Sequence, residues 1–211
     1  MSRLMISATL GLALGLAATA AAPVLAQPPA PRAGPLITKD PMSAPAGAYK
    51  VDPDHQSVVA RIAHNGFSIS TVRFGVTEGL LTWDPARIEN SKISVTVNTK
   101  ANYAPIVYRL DPGAPNLMNI AMFPTATFVS TSVKRTGPTT GQIMGNLTLM
   151  GQTRPVVIDA SLVGAGHTAA GVPDIGFTGV LKIKRSDFGF KAIPAMGDDV
   201  EILLDAEFLP A

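Results

Sequence analysis

GNLTLMGQTRPVVIDASL, residues 145–162, has the apolar pattern of a β-hairpin. Leu147 and Leu149 alternate with polar residues, the segment 151–153 interrupts the run, and the two-residue period then resumes. A second informative stretch, KIKRSDFGF at 182–190, follows about twenty residues further along the chain. This pattern predicts antiparallel β-structure on both sides of a tight turn.

The rest of the domain repeats this pattern, with one apolar and one polar face in most predicted strands. In the clearest case Val200, Ile202 and Leu204 share one face, while Glu201 and Asp205 share the other. Eight strands are predicted, at 57–64, 73–84, 91–98, 125–134, 141–149, 154–163, 174–184 and 198–208.

Eight antiparallel strands are better closed into a barrel than left with two exposed edges. A barrel of this size is either filled by side chains or holds one small ligand, as lipocalins do. Aromatic residues make up only 6% of the chain, and many inward positions carry Ala, Val or Ser, so a cavity is favoured. We therefore predict an all-β, eight-stranded, antiparallel, lipocalin-like barrel, with a solid β-sandwich as the alternative that periodicity leaves open.

One segment, residues 101–123, departs from the β pattern. It is rich in apolar residues at irregular spacing and is broken by Pro105, Pro112 and Pro115. Short helical turns and loop are expected near 101–122. Such a segment either packs over one end of the barrel core or forms a lid over a ligand cavity.

The first 26 residues have the features of a secretory signal peptide. Arg3 precedes a long apolar run, and Val24, Leu25 and Ala26 form a cleavage pattern before Gln27. An uncleaved membrane anchor is the alternative. Because the chain has no cysteine to carry a lipid or form a disulfide, we expect a soluble periplasmic protein that is stabilised by its core.

Residues 27–48 are expected to form an extended linker, because prolines recur throughout this stretch and oppose helices and central strands. They are Pro28, Pro29, Pro31, Pro35, Pro41 and Pro45. The folded domain is then expected at 49–211.

The charge balance argues against a nucleic-acid-binding protein. Seventeen Lys and Arg stand against 15 Asp and Glu, and no basic run of the kind that neutralises phosphates is present. The composition therefore favours a domain whose interior, rather than its charged surface, carries the function.

Five short motifs, in order along the chain, resemble the YceI-like family of secreted bacterial proteins, which have a lipocalin-like barrel that binds a polyisoprenoid lipid. They are Tyr49, Asp52, His55 and Ser57; His64 and Gly66; Phe123-Pro124 with Phe128; Gly145, Leu147, Gly151, Thr153 and Pro155; and Arg185, Asp187, Phe188 and Gly189.

The resemblance implies a single barrel that binds a long-chain isoprenoid or similar amphiphilic lipid for transport, storage or sequestration. A non-catalytic periplasmic structural or interaction protein with a filled barrel is the alternative. The chain departs from the family pattern at Asn116, where relatives commonly have a histidine, and at Met122, where an aspartate is usual. These changes predict a more apolar rim.

We predict ligand contacts from aromatic, cationic and apolar residues that the motifs and strand faces single out: His55, His64, Phe67, Phe123, Phe128, Phe177, Arg185 and Leu204. For Arg185 two interpretations stay open. It forms a local ion pair with Asp187 that ends the strand, or it faces the mouth and anchors a polar head group.

The sequence gives no support for an enzyme. His55, His64 and His167 are far apart and lack the spacing of a metal-binding motif, and no nucleophile elbow, P-loop or dinucleotide fingerprint occurs. We therefore expect no catalytic residue, no metal and no cofactor other than a bound isoprenoid or fatty-acyl lipid. The expected partner is a hydrophobic lipid, without nucleic acid or a stable membrane anchor, and a homodimer is compatible with the sequence.

Overall fold

The structure is a computed structural model that describes residues 34–100, 103, 118–191 and 193–211. Across these residues the strands are β1 Leu36–Thr38, β2 Gly47–His64, β3 Ser68–Phe74, β4 Val76–Trp83, β5 Lys92–Asn98, β6 Thr125–Arg135, β7 Thr140–Leu149, β8 Gln152–His167, β9 Pro173–Lys184 and β10 Met196–Pro210. Three short 3-10 helices complete the description: η1 Pro41–Ser43, η2 Ile88–Asn90 and η3 Arg185–Phe188.

Eight of the strands close into a ring. The order is β2, β4, β5, β6, β7, β8, β9 and β10, each antiparallel to the next, and β10 pairs back onto β2. The predicted all-β, eight-stranded antiparallel barrel is confirmed. A sandwich is excluded because the β8–β9 and β10–β2 pairings leave no gap between two separate sheets.

One predicted strand, 73–84, is divided in the structure. β3 pairs with the second half of β2 and β4 pairs with its first four residues, with Gly75 at the break. β2 has a bulge between the part that pairs with β4 and the part that pairs with β3. Val51 lies opposite Phe208 of β10, and the next paired residue, Gln56, lies opposite Ala206. The four residues 52–55 therefore face a single residue, Glu207, and leave the regular ladder.

The two ends of the barrel carry different connections. We call the end with η1, η2 and the β6–β7 turn the lower end, and the end with the β2–β3 and β7–β8 turns and η3 the upper end. At the lower end Ala44, Tyr49, Trp83, Ile175 and Phe208 belong to one buried cluster. A buried cluster thus lies where the N-terminal segment meets the barrel.

The N-terminal segment differs from the expected linker. β1 pairs antiparallel with the end of β8, Pro41 and Ala44 are buried, and the Tyr49 hydroxyl donates to the Pro45 carbonyl at 2.7 Å. Residues 36–48 are therefore packed on the domain. The first part of the predicted linker, 27–33, lies outside the described residues.

Two other predictions concern residues that lie largely outside those the structure describes. The predicted signal peptide, 1–26, is not among the described residues, and neither are 101, 102 and 104–117 of the segment expected to contain short helices. Its end, 118–122, forms turns. In the described ranges, no helix has the length and apolar character needed to cross a membrane.

Candidate ligand-binding cavity

The barrel encloses a cavity of about 560 Å³. Inward-facing side chains from all eight strands of the ring line it, and they are predominantly Val, Ile, Leu, Ala and Phe. This volume lies in the range of small-molecule sites, which are typically lined by apolar side chains with few polar groups. The cavity is thus suited to an apolar ligand.

Small residues at inward positions leave this space open. Gly141, Ala160 and Gly179 lie directly opposite one another on β7, β8 and β9, and all three line the cavity. Ala60, Ala126 and Ala206 contribute further small side chains to the lining. Eight strands make a lumen that larger side chains could fill, so the cavity results from this choice of small residues.

The floor of the cavity, at the lower end, is aromatic. Trp83 and Phe177 pack edge to face with ring centroids 5.6 Å apart, and Phe177 packs similarly on Phe208 at 6.2 Å. Pro41 of η1 and Ile88 of η2 line the same end. Edge-to-face packing fixes large rings rigidly, so the floor has a defined shape before any ligand binds.

Four of the eight predicted contact residues line the cavity. Phe128 and Phe177 present aromatic rings, Leu204 lies beside Gly179 in the middle of the wall, and Arg185 closes the upper end. These residues come from four separate elements and are distributed along the cavity from its floor to its upper end. Their contact with a ligand stays a prediction.

The other four predicted residues are placed outside the cavity lining. Phe67, in the β2–β3 turn, is 92% exposed, and His64 pairs with Met196 at the upper end. The ring of Phe123 packs against Gly151 in the β7–β8 turn, where a side chain at Gly151 would collide with it. His55 lies on the outer wall. The motif residues His55, His64 and Phe123 are therefore explained here by turns and surface contacts.

Arg185 is buried, and its guanidinium is held by the backbone around it. It donates to the carbonyl oxygens of Gly197 at 2.8 Å, Met196 at 2.9 Å, Phe190 at 3.2 Å and Ile193 at 3.3 Å. It also stacks over the Phe190 ring at 5.1 Å. The ion pair with Asp187 is not found among the described residues. These contacts tie the loop after η3 to the start of β10.

A second polar cluster lies on the outer wall, where the 52–55 bulge faces β10. His55 Nδ1 lies 2.9 Å from Asp52 Oδ2 and 3.6 Å from Glu207 Oε2. The hydrogen bond to Asp52, reinforced by the charge of Glu207, raises the pKa of His55, and the same bond lowers the pKa of Asp52. Burial raises the pKa of Glu207 and that of the neighbouring Asp174.

Ligand atoms from Asp52, His55 and Glu207 all lie within 4.8 Å of one another, a spacing that a metal ion could use. Sequence reasoning missed this convergence because Glu207 comes from the last strand and the bulge cannot be read from periodicity. Here the His55 ring nitrogen already forms a hydrogen bond with Asp52. A protonated His55 offsets the negative charge of the surrounding carboxylates without a metal ion. We keep the expectation of no bound metal as a prediction, which elemental analysis of the purified protein tests.

Comparison with known proteins agrees with this fold. Residues 49–208 match the family described as YceI-like domain. A UPF0312 protein of Pseudomonas aeruginosa (strain LESB58) is 38% identical over 168 residues, which cover 77% of this chain and 86% of that protein.

Two solved structures share the barrel. Burkholderia cenocepacia BcnA has a TM-score of 0.62 at 22% identity, covering 74% of this chain and 98% of BcnA. A polyisoprenoid binding domain from Saccharophagus degradans has a TM-score of 0.57 at 14% identity, covering 79% of this chain and all of that domain, 100%. At these identities the two likenesses concern the fold alone. Because the family match, the close bacterial relative and the closed barrel fall on the same residues, this chain belongs to the YceI-like family.

Proposed function

We propose that this protein binds a long-chain isoprenoid or a similar amphiphilic lipid inside its barrel, in the manner of a lipocalin. The observation that carries the proposal is the apolar cavity of about 560 Å³, which runs between an aromatic floor and the upper end of a fully paired barrel. The polyisoprenoid binding domain of Saccharophagus degradans shares this fold, and its name supports the same ligand class.

Burial of the lipid chain provides the binding energy. Removing apolar surface from water contributes about 25 cal/mol per Å², and a preformed cavity requires little ordering of the protein on binding. The cavity lining offers few polar groups to the lipid chain, so the cavity tolerates lipids whose chains differ in structure. These properties suit a carrier or storage protein in which no bond of the ligand is broken.

We place this carrier in the periplasm, where a lipid of this kind must be shielded from water between membranes. The proposal rests on the cleavage pattern before Gln27 and on the family, whose members include secreted bacterial proteins. Transport, storage and sequestration would all use the same lumen, so the proposal covers each of these roles.

Replacing Leu204 with tryptophan tests the cavity directly. Leu204 lines the lumen, so the larger ring should occupy space that the lipid needs, and bound lipid per chain should fall at least severalfold. Because Gly179 leaves room beside it, the lipid-free variant should lose little stability. The measurement is lipid quantification together with denaturant unfolding, on delipidated and reloaded protein, since bound ligand itself adds apparent stability.

Leu203→Trp is the matched control. Leu203 is the next residue on β10 and lies on the outer face, opposite Val59 and Val180. This variant should keep the lipid content of the parent. If Leu204→Trp instead destabilises the lipid-free protein by about 1–3 kcal/mol, as overpacking of a filled core would, and lipid content is unchanged, the lumen is not the binding site.

A further inference from the structure

Trp83 is the single tryptophan of the chain and forms part of the cavity floor. It ends β4, is only 5% exposed, and packs edge to face on Phe177. Its indole Nε1 is buried and has no hydrogen-bond acceptor among the described residues. The floor of an otherwise apolar cavity thus contains one unsatisfied donor.

An unpaired buried N–H is unusual in a folded protein. Buried tryptophan normally donates to an acceptor, and each exception calls for an explanation such as a water, an ion or a ligand. Two polar groups near this end already have partners: the Tyr49 hydroxyl donates to Pro45, and Ser91 Oγ accepts from the Asp84 N–H. The other buried atom without a partner among the described residues, Asp174 Oδ1, belongs to the carboxylates beside His55 on the outer wall. The Phe177 ring can offer only a weak N–H···π contact.

We infer that the Trp83 N–H is the hydrogen-bond donor for an oxygen atom of the bound lipid. The inference rests on the proposed lipid-binding function and adds a ligand class to it. The ligand is an oxygenated amphiphile, such as a long-chain alcohol or carbonyl compound, that binds with its oxygen at the floor and its chain directed along the barrel. A plain hydrocarbon would leave the donor unsatisfied.

The surroundings of Trp83 favour an uncharged oxygen group. Phe177 and Phe208 form the neighbouring surface of the floor, and they cannot compensate a buried ion. Lys92 and Arg135 also line this end, but both are exposed, so their charges are solvated. An anion beside Trp83 would therefore lose its hydration without gaining a close buried counter-ion.

The test uses dihydrophytol and phytane, which share one branched C20 chain and differ in a single hydroxyl. Because the chain has one tryptophan, ¹⁵N-labelled delipidated protein gives one indole N–H resonance. We expect dihydrophytol to shift the indole proton downfield and phytane to leave it near its lipid-free position. Trp83→Phe should weaken dihydrophytol binding about threefold to tenfold, the range of one net hydrogen bond, and phytane binding less than twofold.

The outcomes separate the inference from the function on which it rests. Binding of dihydrophytol without a downfield shift, or equal losses for both ligands in Trp83→Phe, overturns the role of Trp83 as a donor while lipid binding stands. Failure of both ligands to bind the parent protein overturns the role of Trp83 and the proposed function together. The resonance is measured on the unmodified chain, so the first result does not depend on how the variant folds.

Discussion

Arg185 illustrates how a family motif residue can serve the architecture of a site. Its guanidinium donates to four backbone carbonyls in the loop after η3 and at the start of β10. The planar fork of arginine suits several acceptors at once, whereas the ammonium of lysine offers a single point of charge. Arg185 therefore holds the upper end of the barrel in shape, and a lipid head group is not needed to satisfy its donors.

Arg185→Lys should consequently reduce the free energy of unfolding, by about 2–4 kcal/mol, because several charge-assisted hydrogen bonds are lost at a buried position. Lipid content per folded chain should stay close to that of the parent. Denaturant unfolding and lipid quantification provide the two readouts. Arg154→Lys, at an exposed position near the same end, is the control and should change neither. A stable Arg185→Lys protein that has lost its lipid would instead identify a head-group anchor.

Asp174 contributes to the pH dependence of stability, together with its neighbour Glu207. Burial raises the pKa of its carboxyl, and its Oδ1 atom is buried without a hydrogen-bond partner among the described residues. The folded state therefore binds this proton more tightly than the unfolded state. Its contribution to stability is complete below the ordinary aspartate pKa and is lost as pH rises through the raised value.

Asp174→Asn should remove the loss of stability that the buried carboxylate causes as pH rises. We expect the variant to be more stable than the parent at neutral pH, with the difference shrinking as the solution is acidified. Unfolding curves at a series of pH values measure the effect, and Asp187→Asn, which changes an exposed carboxylate in η3, controls for removal of one negative charge. If the two variants depend on pH in the same way, the Asp174 environment is not the cause.

At the scale of elements, β1 and η1 form a strap across the lower end. Ile37 lies opposite Gly166 of β8, and a Cβ at Gly166 would collide with the Leu36 carbonyl oxygen. Only glycine allows this close approach of the two backbones. The strap positions Pro41 at the cavity wall and buries Ala44, so it helps to close the floor.

Gly166→Ala should therefore release β1 from the barrel. The expected loss of stability is about 1–3 kcal/mol, in the range typical of single substitutions that disrupt packing, and amides 36–38 should exchange faster with solvent. Hydrogen exchange read by NMR reports on the strap itself. Gly176→Ala, where an added Cβ meets only ordinary contacts, should leave exchange unchanged. Full protection of 36–38 in Gly166→Ala would show that the strap does not need this glycine.

Elements with clear periodicity were predictable from the sequence, and irregular ones were not. β10 and the β7–β8 hairpin follow directly from alternating residues and from Gly151 in the turn. β1 has only three residues, too few for a period, and the prolines on either side of it, Pro35 and Pro41, suggested a linker. The 52–55 bulge is equally hidden, because only the register with β10 reveals it.

The candidate site likewise has a part that was predictable from the sequence and a part that was not. The open lumen follows from small inward residues such as Ala160 and Ala206, which strand periodicity identifies. The floor does not, because Trp83, Phe177 and Phe208 come from three strands and meet only through barrel closure. Membership of a motif was a poor guide to the lining, because Phe128 lines the cavity whereas Phe123 and His55 do not.

At the scale of the whole molecule, the proposed function depends on one feature: the barrel is closed, but side chains leave its centre unfilled. Close-packed interiors are the rule in globular proteins, so a cavity lined by apolar side chains loses packing contacts unless a ligand occupies it. A bound lipid chain would supply those contacts. The barrel should accordingly be more stable with its ligand than without it.

The most direct test is organic extraction and mass spectrometry of the protein purified from its native cells under non-denaturing conditions. We predict about one long-chain, oxygen-containing lipid per chain, and a lower unfolding midpoint after its removal. Protein that carries no lipid, and whose unfolding midpoint does not change when isoprenoid lipids are added after delipidation, would contradict lipid binding in the barrel.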